Sequence, residues 1–188
     1  MQVRAQKVAA CGKLLCDDCK ARGSAICAAL QPHELPILAS MASVRRLEPG
    51  QTLFHEDDRA ADVFTVTEGT LKLFKLMSDG RRQVTGFVLP GDFIGLAYQR
   101  NYAYTAEAVT EANLCRFPRA QFHQVMSEHA ALERELLNRA SAELVVAQEQ
   151  MLLLGRKSAR ERLASFILRL ADRHRAPDGQ PVLSLIHI

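Results

Sequence analysis

The chain has 188 residues, enough for one full core and a smaller second unit. Hydrophobic residues make up 48% and charged residues 24%, the balance of an ordinary globular protein. No apolar run approaches the roughly 20 residues that span a membrane, and the net charge of +3 is too mild to demand a nucleic-acid partner by itself.

Residues 1–29 form a cysteine-rich arm. Four of the five cysteines, Cys11, Cys16, Cys19 and Cys27, fall there, and Cys16 to Cys27 read C-x2-C-x7-C. The fifth, Cys115, lies far downstream. Met1 to Ala10 contains no signal-peptide core, so a cytoplasmic location with reduced thiols is expected. Four readings of the cluster stand. A four-iron iron–sulfur centre needs four thiolates around one cage, and Cys115 is the candidate for the fourth. Zinc takes four sulfurs as well, usually from two CxxC pairs, and here there is one. Disulfides suit small secreted domains, but the count is odd. The last reading is of unrelated buried thiols. Gly12 and Gly23 and weak periodicity predict a loop poorly ordered without its ligand. Lys13, Lys20 and Arg22 lie among the thiols, either offsetting their charge or merely solvated.

Residues 32–42 predict a short helix with Leu35, Leu38, Ala39 and Met41 on its apolar face. From 43 to 118 short β-like runs alternate with glycine turns. Val63–Val66, Leu71–Leu76, Val84–Leu89, Ala103–Val109 and Asn113–Phe117 are predicted strands, with Asp79-Gly80 a hairpin turn and Pro90-Gly91-Asp92 another. Strands at this spacing predict an all-β barrel or jelly roll over residues 30–120. Cys115 falls in the last strand, where alternation sets it against Leu114 and Arg116 without saying which face meets the core.

A long helix is predicted over 121–155. Leu137, Ala140, Leu144, Ala147, Met151 and Leu154 recur at spacings of three and four, an a/d seam for a two-helix contact. The two alanines bury little surface, so the contact is expected to be weak and easily tipped. Leu136, Val145 and Leu152 make a second stripe for packing against the chain's own barrel. Gly155 is expected to break the helix. Ser158 to Glu161 reads as a capping box, followed by a helix carrying Leu163, Phe166, Ile167 and Leu170. Seven lysines or arginines lie between 156 and 175, a phosphate-facing patch or a solvated helix face. Leu183-Ser184-Leu185-Ile186-His187-Ile188 fit nothing before them. They are similar to the translation of a sequencing adaptor and are expected to be a non-native tail.

Metal-dependent catalysis in a jelly roll needs converging histidines and a carboxylate. Of His33, His55, His123, His129, His174 and His187, His55 alone falls among the barrel strands, so no enzyme is expected.

This order of parts resembles the CRP/FNR superfamily of bacterial transcription regulators, and within it the oxygen-sensing FNR group with its FnrN and FixK-like members. The resemblance is carried by Cys16, Cys19 and Cys27, Pro49-Gly50-Gln51-Thr52-Leu53-Phe54, Gly69-Thr70-Leu71-Lys72, Gln83-Val84-Thr85-Gly86-Phe87, Gly91-Asp92-Phe93-Ile94-Gly95, Leu114-Cys115 and Met151 to Lys157. It implies an α+β fold: a mainly β, cyclic-nucleotide-binding-like jelly-roll sensor, a dimerisation helix, and over 156–182 the start of a winged-helix DNA-binding domain truncated before its reading helix. It also implies a [4Fe-4S] cluster on Cys16, Cys19, Cys27 and Cys115, with Cys11 a spare or the first ligand in place of Cys16. Homodimerisation controlled by that cluster, a palindromic DNA site and RNA polymerase as partner of the full-length protein follow in the same way. Relatives that bind cyclic nucleotides carry a glutamate and an arginine after the Gly-Asp-Phe-Ile-Gly stretch. Here Leu96 and Ala103-Tyr104-Thr105-Ala106 stand instead, and an anionic phosphate would lack its charge partner. No cyclic nucleotide is therefore expected, although a small-ligand module with structural cysteines is the alternative reading.

Overall fold

The computed structural model describes residues 9–10, 16, 19–96, 100–156 and 158–173. Two compact units divide the chain, Met1–Leu137 and Asn138–Ile188.

The first unit is built on two antiparallel sheets. In chain order its strands are β1 (Ala9–Ala10), β2 (Ser43–Leu47), β3 (Thr52–Phe54), β4 (Asp62–Glu68), β5 (Leu71–Leu76), β6 (Arg82–Val88), β7 (Phe93–Ile94), β8 (Thr105–Ala108) and β9 (Ala112–Pro118). One sheet has the order β1-β2-β9-β4-β7 and the other β3-β8-β5-β6. The expected barrel is thus a two-layer jelly roll, its ladders separate among the described residues. Phe54, Phe64, Val66, Leu71, Tyr102, Ala106 and Leu114 fill the space between the sheets.

The β5–β6 hairpin follows the sequence closely. Gly80 takes a φ of +83°, and the Arg81 N–H donates to Asp79 Oδ1 at 3.0 Å. Strands β2, β3 and β7 were not legible. β2 is rich in arginine, and β3 and β7 span three and two residues, too short for alternation to register. They exist because partners already in place supply their hydrogen bonds.

Of the expected arm, residues 9–10, 16 and 19–29 are described. β1 joins the edge of the five-stranded sheet, Ala9 opposite Val44. Ile26–Ala29 form one 3₁₀ turn, and α1 (Leu35–Met41) follows. Ile26, Leu30, Leu35 and Leu38 leave water together with Val63, Phe117, Phe122 and Leu132, making a second core on the outer face of that sheet.

The expected single helix over 121–155 is two helices, α2 (Arg119–Glu128) and α3 (Ala130–Arg156). The break is at His129, which has φ −125° and ψ 89°. No glycine or proline causes it. His129 Nδ1 lies 3.4 Å from Glu34 Oε1, and its carbonyl accepts from the N–H groups of Leu132 and Glu133. The redirected helix drives Leu132 to 0% exposure in the second core. Gly155 does not break α3, which continues to Arg156. The capping box that follows is made: the Ser158 N–H donates to Glu161 Oε2 at 2.8 Å, and the Glu161 N–H returns to Ser158 Oγ at 3.4 Å. It opens α4 (Ala159–Arg173).

Candidate functional site

Strand β9 decides where Cys115 points. Ala112 and Leu114 face the space between the sheets, so the alternate residues Asn113, Cys115 and Phe117 face outward. Val44 on β2 and Thr65 on β4 stand directly opposite Cys115 on either side. The thiol therefore meets the arm, not the jelly-roll interior.

The arm is seated over this face by close packing. Ala21, Ala25 and Ile26 are buried. Gly91 marks the contact: its φ is +97°, and a Cβ there would fall 2.3 Å from Ser24 Oγ. The turn that presents Gly91 is held by Asp92, whose Oδ2 accepts from the Leu89 N–H at 2.8 Å.

Between the arm and the sheet lies a cavity of about 690 Å³. Cys16, Cys19, Cys27 and Cys115 all line it, and all four are half-buried. The sequence-predicted set is thus brought to one place, while Cys11 and Lys13 lie outside the described residues. Lys20 and Arg22 share the wall, as do Arg45 and Arg46 of β2, against one carboxylate among the described residues, Glu68. Glu68 Oε2 accepts from Asn113 Nδ2 at 2.7 Å. Leu35, Leu38, Ala42 and Phe117 supply the apolar part of the lining.

The donor set tests what this cavity fits. Soft sulfurs select zinc, cuprous copper or iron–sulfur centres over hard cations. Among the described residues no three cysteine, histidine or carboxylate side chains gather tightly enough to hold a metal ion, so the thiols border a shared space without converging on one point. Two buried polar atoms on that wall, Thr65 Oγ1 and Asn113 Oδ1, have no hydrogen-bond partner among the described residues. Buried groups of this kind ordinarily have one. Four thiols, surrounding cations and the unpaired Thr65 hydroxyl together fit a sulfur-bound, negatively charged group. Sequence reasoning missed Thr65, Asn113, Arg45 and Arg46. The one signal for Thr65 was a lone hydroxyl inside the apolar run Val63 to Val66.

Of the seam residues, Leu137 is 66%, Leu144 59% and Met151 70% exposed. Ala140 is exposed and Ala147 half-buried, and the Leu154 side chain lies outside the described residues. Leu136 packs against the second core, but Val145 is 53% exposed. The side chain of Leu152, the third residue of that stripe, lies outside the described residues. On α4, Leu163 and Phe166 are also exposed. Residues 174–188, with the expected tail, are outside the described part of the chain. No helix among the described residues is long and apolar enough to cross a membrane.

Comparison with known proteins places this geometry. The model of the cyclic nucleotide-binding domain matches residues 44–129. The nitrogen fixation regulation protein FixK of Bradyrhizobium diazoefficiens is 37% identical over 87% of this chain and 69% of that protein. The transcriptional activator protein FnrL of Cereibacter sphaeroides is 38% identical over 86% and 65%. Among solved structures, FixK2 from Bradyrhizobium japonicum superposes with a TM-score of 0.68 at 34% identity, covering 76% of this chain and 71% of that one. The chain thus spans about two thirds of the length of these relatives.

Proposed function

Because the chain belongs to the CRP/FNR superfamily of transcription regulators, we propose that it is the sensing and dimerising part of a cytoplasmic, oxygen- or redox-responsive regulator that binds DNA as a homodimer and acts on RNA polymerase. The group sensed through would be a [4Fe-4S] cluster held by Cys16, Cys19, Cys27 and Cys115. What supports this reading is the meeting of those four thiols on one cavity. Bound there, such a cluster supplies reactivity toward oxygen.

The chain's own residues supply the rest. Cys16, Cys19 and Cys27 tether the arm, and Cys115 fixes it to the sheet. Lys20, Arg22, Arg45 and Arg46 offset negative charge on the sulfurs. Cys16, Cys27 and Cys115 pack on the same apolar cluster as Leu132 and Leu136 at the start of α3. A change in how the arm is held therefore reaches the foot of the seam helix through directly touching side chains. The exposed Leu137, Leu144 and Met151 are the face offered to a second copy. A seam with alanine at two positions makes a marginal contact, one that a coupling of about 1–3 kcal/mol can tip.

Anaerobic reconstitution with iron and sulfide tests the reading. A brown protein whose visible absorbance bleaches in air is expected, and Cys115→Ser should lose most of the bound iron and sulfide. A colourless protein that retains zinc, or a Cys115→Ser variant with undiminished iron and sulfide, refutes it.

The matched cyclic nucleotide-binding domain favours a second reading, a small-ligand module with structural cysteines. Calorimetry with cyclic AMP and cyclic GMP separates the two: micromolar binding supports the second. The absence of an arginine from Ala103 to Ala106 argues against it.

A further inference from the structure

Thr65 sits in β4 between Phe64 and Val66, both of which enter the core between the sheets. Alternation turns Thr65 to the opposite face. There it stands directly across from Cys115 and lines the cavity shared by the four thiols. Directly opposed residues of antiparallel strands hold their Cβ atoms about 4.5–5.5 Å apart. Its hydroxyl is therefore within side-chain reach of whatever the Cys115 sulfur binds.

Thr65 is 3% exposed, and among the described residues Oγ1 has no hydrogen-bond partner. Burying a hydroxyl unpaired is unfavourable, and the described residues supply no partner for it. Asn113 Oδ1 is the other orphan on the same wall. Its amide nitrogen donates to Glu68 Oε2 at 2.7 Å, which orients the amide and leaves the acceptor Oδ1 as the unsatisfied atom. A thiolate or a sulfide has no proton to offer an acceptor. Thr65, whose hydroxyl can donate, is the one of the two that suits a sulfur.

We infer that the Thr65 hydroxyl donates a hydrogen bond to sulfur at Cys115, either its thiolate or a sulfide of the group bound there, and thereby sets how readily that group is oxidised. This rests on the cluster reading proposed above. Hydrogen bonds to the sulfurs are among the determinants of iron–sulfur potentials. A donated proton favours the more negatively charged, reduced state, so its removal lowers the reduction potential and makes oxidation easier.

The test reconstitutes the parent chain, Thr65→Val and Thr65→Ser anaerobically with iron and sulfide. The valine variant keeps the shape without the donor, and the serine variant keeps the donor. The expected result is a more negative reduction midpoint and several-fold faster bleaching in air for Thr65→Val, with Thr65→Ser near the parent. In the parent, exchange into D2O should shift an iron–sulfur stretch in the resonance Raman spectrum, and that shift should be lost in Thr65→Val. An unchanged midpoint at equal iron and sulfide content overturns the inference and leaves the cluster reading intact. If Thr65→Val does not fold, the parent's deuterium shift decides, and its absence overturns the inference. A parent chain that takes up no iron and sulfide overturns the cluster reading and the donor role together.

Discussion

Tyr102 shows how a single side chain ties the jelly roll together. Its ring stacks on Phe54 with centroids 3.8 Å apart, and its hydroxyl donates to the Asp62 carbonyl at 2.8 Å. Burial pushes the phenol up to about 12 from its ordinary 10.0. The folded value is the higher one, so the stabilisation is complete below pH 10 and is lost as pH rises from 10 towards 12. Tyr102→Phe should cost about 1 kcal/mol at neutral pH and abolish this alkaline loss, as read by urea unfolding at pH 7 and pH 11. Gly91 is the matching case in the backbone. Gly91→Ala would force a side chain to a φ of +97° and against Ser24. A loss of about 1–3 kcal/mol is expected, with the arm becoming more accessible to proteolysis.

Among the elements, the four-stranded sheet carries an ion cluster that spans three strands. Glu107 on β8 meets Lys72 on β5 at 2.6 Å and Arg82 on β6 at 3.0 Å. The hydrogen bond from Lys72, with Arg82 beside it, holds the Glu107 carboxyl below the usual 4.5 against the opposing effect of burial. A depressed value means the contribution is present above pH 4.5 and fades as pH falls through the lower folded value. Glu107→Gln should therefore be less stable than the parent at pH 7, and the difference should vanish in acid titration of the two unfolding curves. Helix α3 offers a second test. Leu132 is the buried foot that the His129 break delivers, and Leu132→Ala should cost about 2–5 kcal/mol by denaturant midpoint. Ala140→Leu and Ala147→Leu should instead tighten self-association, by about 0.8 kcal/mol for each added carbon that is buried. Sedimentation equilibrium measures the change.

For the whole molecule, the consequence lies in one shared cluster of side chains. The thiol-bearing arm and the start of α3 rest on the same apolar group around Phe117, Phe122 and Leu132, with the rings of Phe93 and Phe122 stacked at 5.1 Å. Light scattering of reconstituted protein should give a larger mass without oxygen than after exposure to air. Phe122→Ala should weaken that difference even where iron and sulfide content is retained. An oligomeric mass indifferent to air, with the cluster bound, would sever sensing from dimerisation.

What the amino-acid order determined by itself is local. The Asp79-Gly80 turn, the Ser158–Glu161 capping box and strand Leu71–Leu76 depend on residues within a few positions of each other, or on a simple alternation. The thiol spacing and the exposed leucines of α3 are legible for the same reason. The outward direction of Cys115, the presence of β1, β2, β3 and β7, the break at His129 and the buried hydroxyl of Thr65 were decided by tertiary structure. Each depends on a partner distant in sequence: Val44 and Thr65 for Cys115, Glu34 for His129, the edge of β2 for β1. Strand pairing and core packing bring such partners together only when the chain closes on itself, and a register slip of one residue in β9 would turn the Cys115 thiol to the other face.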